Sequence, residues 1–243
     1  MLDDLLLLSG NDIPFMEAKV TIHQPTIKEI AYMGEENFYT GCEFLKFSKD
    51  NLDEQDRIRL ENYSNFEIIM SMMKEQNAVM QKHKVCVLML LTMIFPKYEI
   101  SIGENEILLK NAEEISIINK DNFEKFKEIL NLIFCLTGDN STEYNPAGEM
   151  AQRIAKKLKN RHQKLAEEKP SEHKVAILCR YISILTVGHK KDMNSLLQYT
   201  VYQLFDEFKR FELKTQYDTY FKAKLAGAKD LKEVEDWMKD IHS

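Results

Sequence analysis

Six histidines could do proton chemistry, and His23, His83, His162, His173, His189 and His242 are scattered through polar or basic surroundings. An imidazole works as a base at neutral pH when a carboxylate or nucleophile is held against it. His162 and His173 flank the helix break expected at Pro170, and neither has a carboxylate in helix register beside it. Each histidine therefore reads as exposed or locally satisfied. Adjacent acids such as Asp53-Glu54 and Asp206-Glu207 diverge by about 100° on a helix and cannot grip one substrate together. The cysteines Cys42, Cys86, Cys135 and Cys179 lie more than forty residues apart. They read as buried free thiols in a reducing compartment, too dispersed for a structural zinc site. No G-x-S-x-G, no H-E-x-x-H, no glycine-rich phosphate loop and no D-x-D-x-D-G run occurs. The expectation is no catalytic, cofactor-binding or metal-ligating residues, and a binding protein rather than an enzyme.

Two stretches could instead do recognition. Between Glu149 and Glu167 the charged residues are all bases, and Arg153, Lys156, Lys157, Arg161 and Lys164 form a candidate basic surface. A basic helix over 150–166 could lie along phosphates or on an acidic partner. No aromatic residue interleaves these bases for stacking. The whole chain carries a net charge of −6 with a pI near 5.6, which disfavours nucleic acid. The second stretch is Thr200-Val-Tyr-Gln-Leu-Phe-Asp-Glu-Phe-Lys-Arg-Phe211. Val201, Leu204, Phe205, Phe208 and Phe211 share one helical face, with Gln203, Asp206, Glu207, Lys209 and Arg210 opposite. The pattern runs on through Tyr217, Tyr220, Phe221 and Leu225 until Gly227, giving a helix long enough to outrun a small bundle. The near aromatics belong to a core. Tyr217, Tyr220 and Phe221, with Trp237 beyond them, are the candidate partner interface.

The elements that must carry these stretches are mainly α. Few Gly and Pro are available for the turns of a many-stranded fold. Alternation over residues 17–24 predicts a strand. Thr26 and Glu29 have capping-box spacing before a helix that Gly34 interrupts. Helices follow at 66–73, 77–95 and 121–136, with a β-hairpin over 98–110 and a further strand at 115–118. The methionines between Met70 and Met93 read as core. Residues 137–146 gather Gly, Asp, Asn, Ser and Pro into the clearest break. The expected division is a mixed α+β domain over 1–136, a linker at 137–146 and an all-helical bundle over 147–243. Within the bundle a nearly continuous apolar helix over 172–187 should sit centrally, with Gly188 as its C-terminal cap. Residues 1–62 carry thirteen acids against six bases, which makes a solvated acidic face or attracts a basic partner. The short apolar run at residues 5–8 follows acids where a signal peptide needs bases. The longest apolar run, 85–95, is about half a membrane span. A cytoplasmic protein is expected, with no membrane contact.

Ile184–Gly188, Ser195–Phe211, Lys222–Lys229 and Asp236–His242 together resemble a C-terminal module of proteins from the tail-gene region of phages and prophages of low-GC Gram-positive bacteria. Thr26-Ile-Lys-Glu-Ile-Ala-Tyr-Met-Gly-Glu35 is similar to the start of the same proteins, while residues 64–170 carry no such likeness. The resemblance implies a tail assembly chaperone or a small structural protein. It implies phage tail proteins as partners, the tape measure protein among them; self-association is the other expected use of the aromatic far end of the long helix. The place of action would be the bacterial host cytoplasm during assembly, or the virion. A stable virion component and a nucleic-acid-binding protein acting through 150–166 are the alternatives. The module brings no catalytic motif.

Overall fold

Local capping chemistry fixes where the helices of the N-terminal part begin. The structure is a computed structural model describing residues 2–112, 114–136, 176–228, 234–239 and 241. The expected linker, the basic stretch with Arg153, Lys156, Lys157, Arg161 and Lys164, and His162 and His173 lie outside the described residues. Asp3 caps α1 (Asp4–Ser9). Thr26 caps α2 (Ile27–Met33) with the full capping box to Glu29, and Gly34, at φ +88°, breaks the chain before α3 (Glu35–Leu45). Asp53 caps the short α4 (Glu54–Arg59). Ser64 and Glu67 form a second box at the start of α5 (Asn65–Lys74), and Asn77 caps α6 (Ala78–Ile94). Each cap satisfies backbone donors that the first helical turn leaves unpaired.

Two antiparallel sheets accompany these helices. In the first, β1 (Ile13–Phe15) pairs with β2 (Val20–Ile22), Phe15 opposite Val20. The expected strand over 17–24 is shorter because residues 16–19 make the turn, with Lys19 at φ 56°. The second sheet has the order β3 (Glu99–Ile102), β4 (Ile107–Lys110), β5 (Ile115–Ile118), so β5 is an edge strand. Helix α7 (Phe123–Ile133) follows. The core gathers Phe15, Phe38, Phe66, Phe95, Phe123, Phe126 and Phe134, all fully buried. Phe15 and Phe95 each stand 5.9 Å from Phe126, and Phe38 meets Phe134 edge-on at 4.9 Å. Met70 and Met73 join this core, whereas Met89 is exposed.

The C-terminal residues form α8 (Ile177–Gly188), α9 (Met193–Leu197) and α10 (Val201–Leu225). The protein is thus mainly helical, with small antiparallel sheets confined to the N-terminal part. Residues 1–136 and 177–243 cluster into one compact unit, and 137–176 into another of which only residue 176 is described. Helices α8 to α10 keep no separate core. Leu178, Ile182, Leu185, Leu196, Val201 and Leu204 belong to the same buried cluster as Leu7 and Phe38. No described helix is long and apolar enough to cross a membrane.

Two expectations about α8 are corrected. It is amphipathic rather than central, with Leu178, Ile182 and Leu185 inward while Cys179 and Val187 are exposed. Gly188 ends the helix, yet it does not adopt the left-handed conformation of a C-terminal cap. Its small size serves packing instead, because a methyl group there would overlap the ring of Phe211. Gly227, by contrast, does turn left-handed, at φ +84°, and stops α10.

Candidate partner-binding surface

The base of α10 is locked to the rest of the chain. Thr200 and Gln203 form its capping box, and Thr200 pairs with Thr26 in an isolated antiparallel bridge. The Ile27 N–H donates to the Tyr199 carbonyl at 2.8 Å beside that bridge. Two helix starts therefore brace each other, and each belongs to a segment that carried the resemblance. Gln203 Nε2 also donates to the Leu8 carbonyl at 2.7 Å, closing α1 onto α10. At the start of α8, the Leu178 N–H donates to Glu35 Oε1 of α3 at 2.8 Å.

One turn higher, aromatic rings join α8 to α10. Tyr181 stacks on Phe208 at 3.7 Å with planes 4° apart, and meets Phe205 edge-on at 5.1 Å. Phe205, Phe208 and Phe211 are half-buried and pack against the main cluster. Glu207 then gathers the segment after α8. Its Oε1 lies 2.6 Å from His189 Nδ1, and its Oε2 3.0 Å from Lys191 Nζ. Lys191 reaches the Tyr199 hydroxyl as well, at 2.8 Å. Burial pushes the Glu207 carboxyl upward, but hydrogen bonds from Lys191 and His189 outweigh it and hold the group below the usual range. The His189 ring stands edge-on to Phe211 at 4.6 Å, so this cluster fastens the end of α8 to α10.

His23 has a similar setting, with Nδ1 2.9 Å from Asp12 Oδ1 and Nε2 3.3 Å from Glu29 Oε1. Neither setting is legible as an i, i+3 or i, i+4 helix pair, because the carboxylates stand 11, 6 and 18 residues from their histidines. All four cysteines are free; Cys42 and Cys86 are buried, and Cys135 is half-buried with its thiol pushed up to about 12 by burial.

The distal half of α10 has another character. Tyr217 and Tyr220 are half-buried and Phe221 is exposed, with Leu225 exposed beyond it. The three rings touch one another, Tyr217 and Phe221 at 4.6 Å and Tyr220 and Phe221 at 5.8 Å. Lys224 Nζ sits 5.7 Å from the Tyr220 ring centroid, so the aromatic tip carries positive charge. Trp237 is held one turn lower. Arg210 Nη1 donates to the carbonyls of Trp237 and Lys239, both at 2.7 Å, and Lys214 Nζ lies 5.6 Å from the indole centroid. Lys214 also bridges to Asp218 at 2.8 Å. The four aromatics proposed from sequence thus divide into a contiguous triad at the tip and a tryptophan whose backbone is held by Arg210 and whose indole lies against Lys214. Such a tip offers aromatic area and cationic charge, the chemistry that anchors a protein partner.

Residues 169–242 match a family model described as the second domain of YomV, a phage-derived domain. The match covers α8, α9 and α10, under a third of the chain. No curated protein and no solved structure matches the chain.

Proposed function

We propose that this is a non-enzymatic phage protein of tail morphogenesis, acting in the host cytoplasm by binding another tail protein during assembly. The tape measure protein, whose hydrophobic segments would be covered until assembly, is the partner proposed. The observation that carries the reading is the aromatic tip of α10, exposed Phe221 with half-buried Tyr217 and Tyr220, lying within the phage-derived domain. The base of α10 supplies a rigid mount, and the tip supplies ring area with little conformational freedom to lose. Trp237, clamped beside Lys214, extends the same helix face towards the partner.

The test is co-expression of the full chain with the tape measure protein of the same phage, followed by size-exclusion chromatography. A joint peak that Phe221→Ala and Tyr220→Ala weaken, with melting temperature unchanged, supports the proposal. No joint peak, or variants that lose stability while association persists, overturns it. Salt-sensitive DNA binding at physiological ionic strength would favour the nucleic-acid reading through the basic stretch instead.

A further inference from the structure

The second sheet ends on β5, and the ladder shows which groups that edge presents. The Asn111 N–H donates to the Glu114 carbonyl at 3.1 Å, closing the β4–β5 hairpin. Hydrogen-bonded and non-hydrogen-bonded pairs alternate along an antiparallel ladder. Leu109↔Ser116 and Ile107↔Ile118 are therefore the bonded pairs, and Leu108↔Ile117 and Lys110↔Ile115 the open ones. The N–H and C=O groups of Ile115 and Ile117 consequently point away from β4, towards the free edge. The same two residues turn their side chains to solvent, Ile115 at 61% exposure and Ile117 at 37%. Leu108, opposite Ile117, extends this outer apolar face.

Strand edges of this kind are commonly blunted by charge, proline or a bulge. Here one outward group, the Ile117 carbonyl, accepts from Asn122 Nδ2 at 2.9 Å, which leaves it a second lone pair. The edge strand itself carries neither charge nor proline. Its flanks are of opposite sign, with Glu114 at the start and Lys120 after the end, both exposed.

We propose that β5 is a self-association edge: a second copy of this chain adds its own β5 antiparallel to the first, centred on Ser116. Ile115 of each copy then faces Ile117 of the other, and their outward groups exchange four hydrogen bonds. A register centred on Ile117 is poorer, because it needs the Asn119 N–H, which is already donated to Asn122 Oδ1. Antiparallel addition sets the Glu114 end of each copy beside the Lys120 end of the other, whereas parallel addition would stack like charge on like. The contact is two-fold and closes on itself, so it gives a dimer and not a filament. It is independent of the α10 tip.

Sedimentation of the full chain across its soluble concentration range tests this. Wild type should show a monomer–dimer equilibrium. The variants I115K/I117K and I115E/I117E, changed only at exposed positions, should each be monomeric and melt as wild type does when diluted to monomer. An equimolar mixture of the two should restore the dimer, because opposite charges then face each other at every pair. If the double variants unfold, Ile115→Lys alone carries the test at the more exposed position. A wild type monomeric throughout overturns the proposal. So does a mixture that stays monomeric, or a dimer that Phe221→Ala dissolves and I115K/I117K leaves intact.

Discussion

Thr26 and Thr200 face each other as the N-caps of α2 and α10, joined by an antiparallel bridge although most of the chain separates them. Each hydroxyl accepts from the backbone N–H three residues on, and each threonine's own N–H donates to the side-chain oxygen of Glu29 or Gln203. Thr200 is itself buried, so its hydroxyl has no water to fall back on. Thr200→Ala is expected to cost about 1–2 kcal/mol, and Thr200→Ser much less. Urea unfolding followed by circular dichroism measures both, and equal losses would deny the hydroxyl its role.

Gly188 and Phe211 supply a second, sharper prediction. A methyl group at residue 188 would overlap the Phe211 ring, which is itself held edge-on by His189. Gly188→Ala should therefore destabilise by roughly 1–3 kcal/mol, the usual range for overpacking. The pair G188A/F211A should lose less than the sum of its single variants, since truncating the ring makes the space. Strict additivity in a double-mutant cycle would contradict the packing described.

The Glu207 cluster predicts a pH dependence of definite sign. Its carboxyl is held below the ordinary carboxylate range in the folded chain, so in mild acid the unfolded chain binds more protons. Stability from this group is complete above the unfolded value and is lost as pH falls through the lower folded one. Glu207→Gln should cost about 1.5–3 kcal/mol at pH 7, the usual contribution of charge-assisted hydrogen bonds, or somewhat less because the carboxylate is partly exposed. The gap to wild type should narrow in acid below that range. A gap that is constant from neutral to acid pH would mean the carboxylate charge is irrelevant to the cluster.

Along α10 the response to truncation should fall from base to tip. Leu204 is fully buried, and Leu204→Ala should cost about 2–5 kcal/mol. Phe221, at 42% exposure, should lose no more than about 1 kcal/mol as Phe221→Ala. Phe208→Ala should fall between, since that ring is half-buried but stacked on Tyr181. Thermal melts of the three variants rank them directly. A tip variant as damaging as Leu204→Ala would make the whole stripe core.

What could be read in the sequence was local. The capping box of Thr26 and Glu29 lies within four residues, and it forms as its spacing indicates. The hairpin over β3 and β4 and the strand β5 were legible from alternation and turn residues. β1 was not, because three residues containing Pro14 carry too little pattern to read. Gly188 was visible as a special position, but spacing could not reveal a ring from another helix above it. The carboxylates beside His23 and His189 arrive only through tertiary packing. Helical spacing put Tyr217, Tyr220 and Phe221 together, yet said nothing of Trp237 being drawn to Arg210 and Lys214.

The bond from Gln203 to Leu8 spans 195 residues, and it sets an order of events during synthesis. Helix α1 and the Thr26 cap leave the ribosome long before the helix they brace. At translation rates of roughly 5–20 residues per second, the apolar side of α1 waits on the order of ten seconds or more for its cover. Contacts of such long range also make folding slow once the chain is complete. Until α10 is made, the apolar side of α1 stays open to non-native contacts.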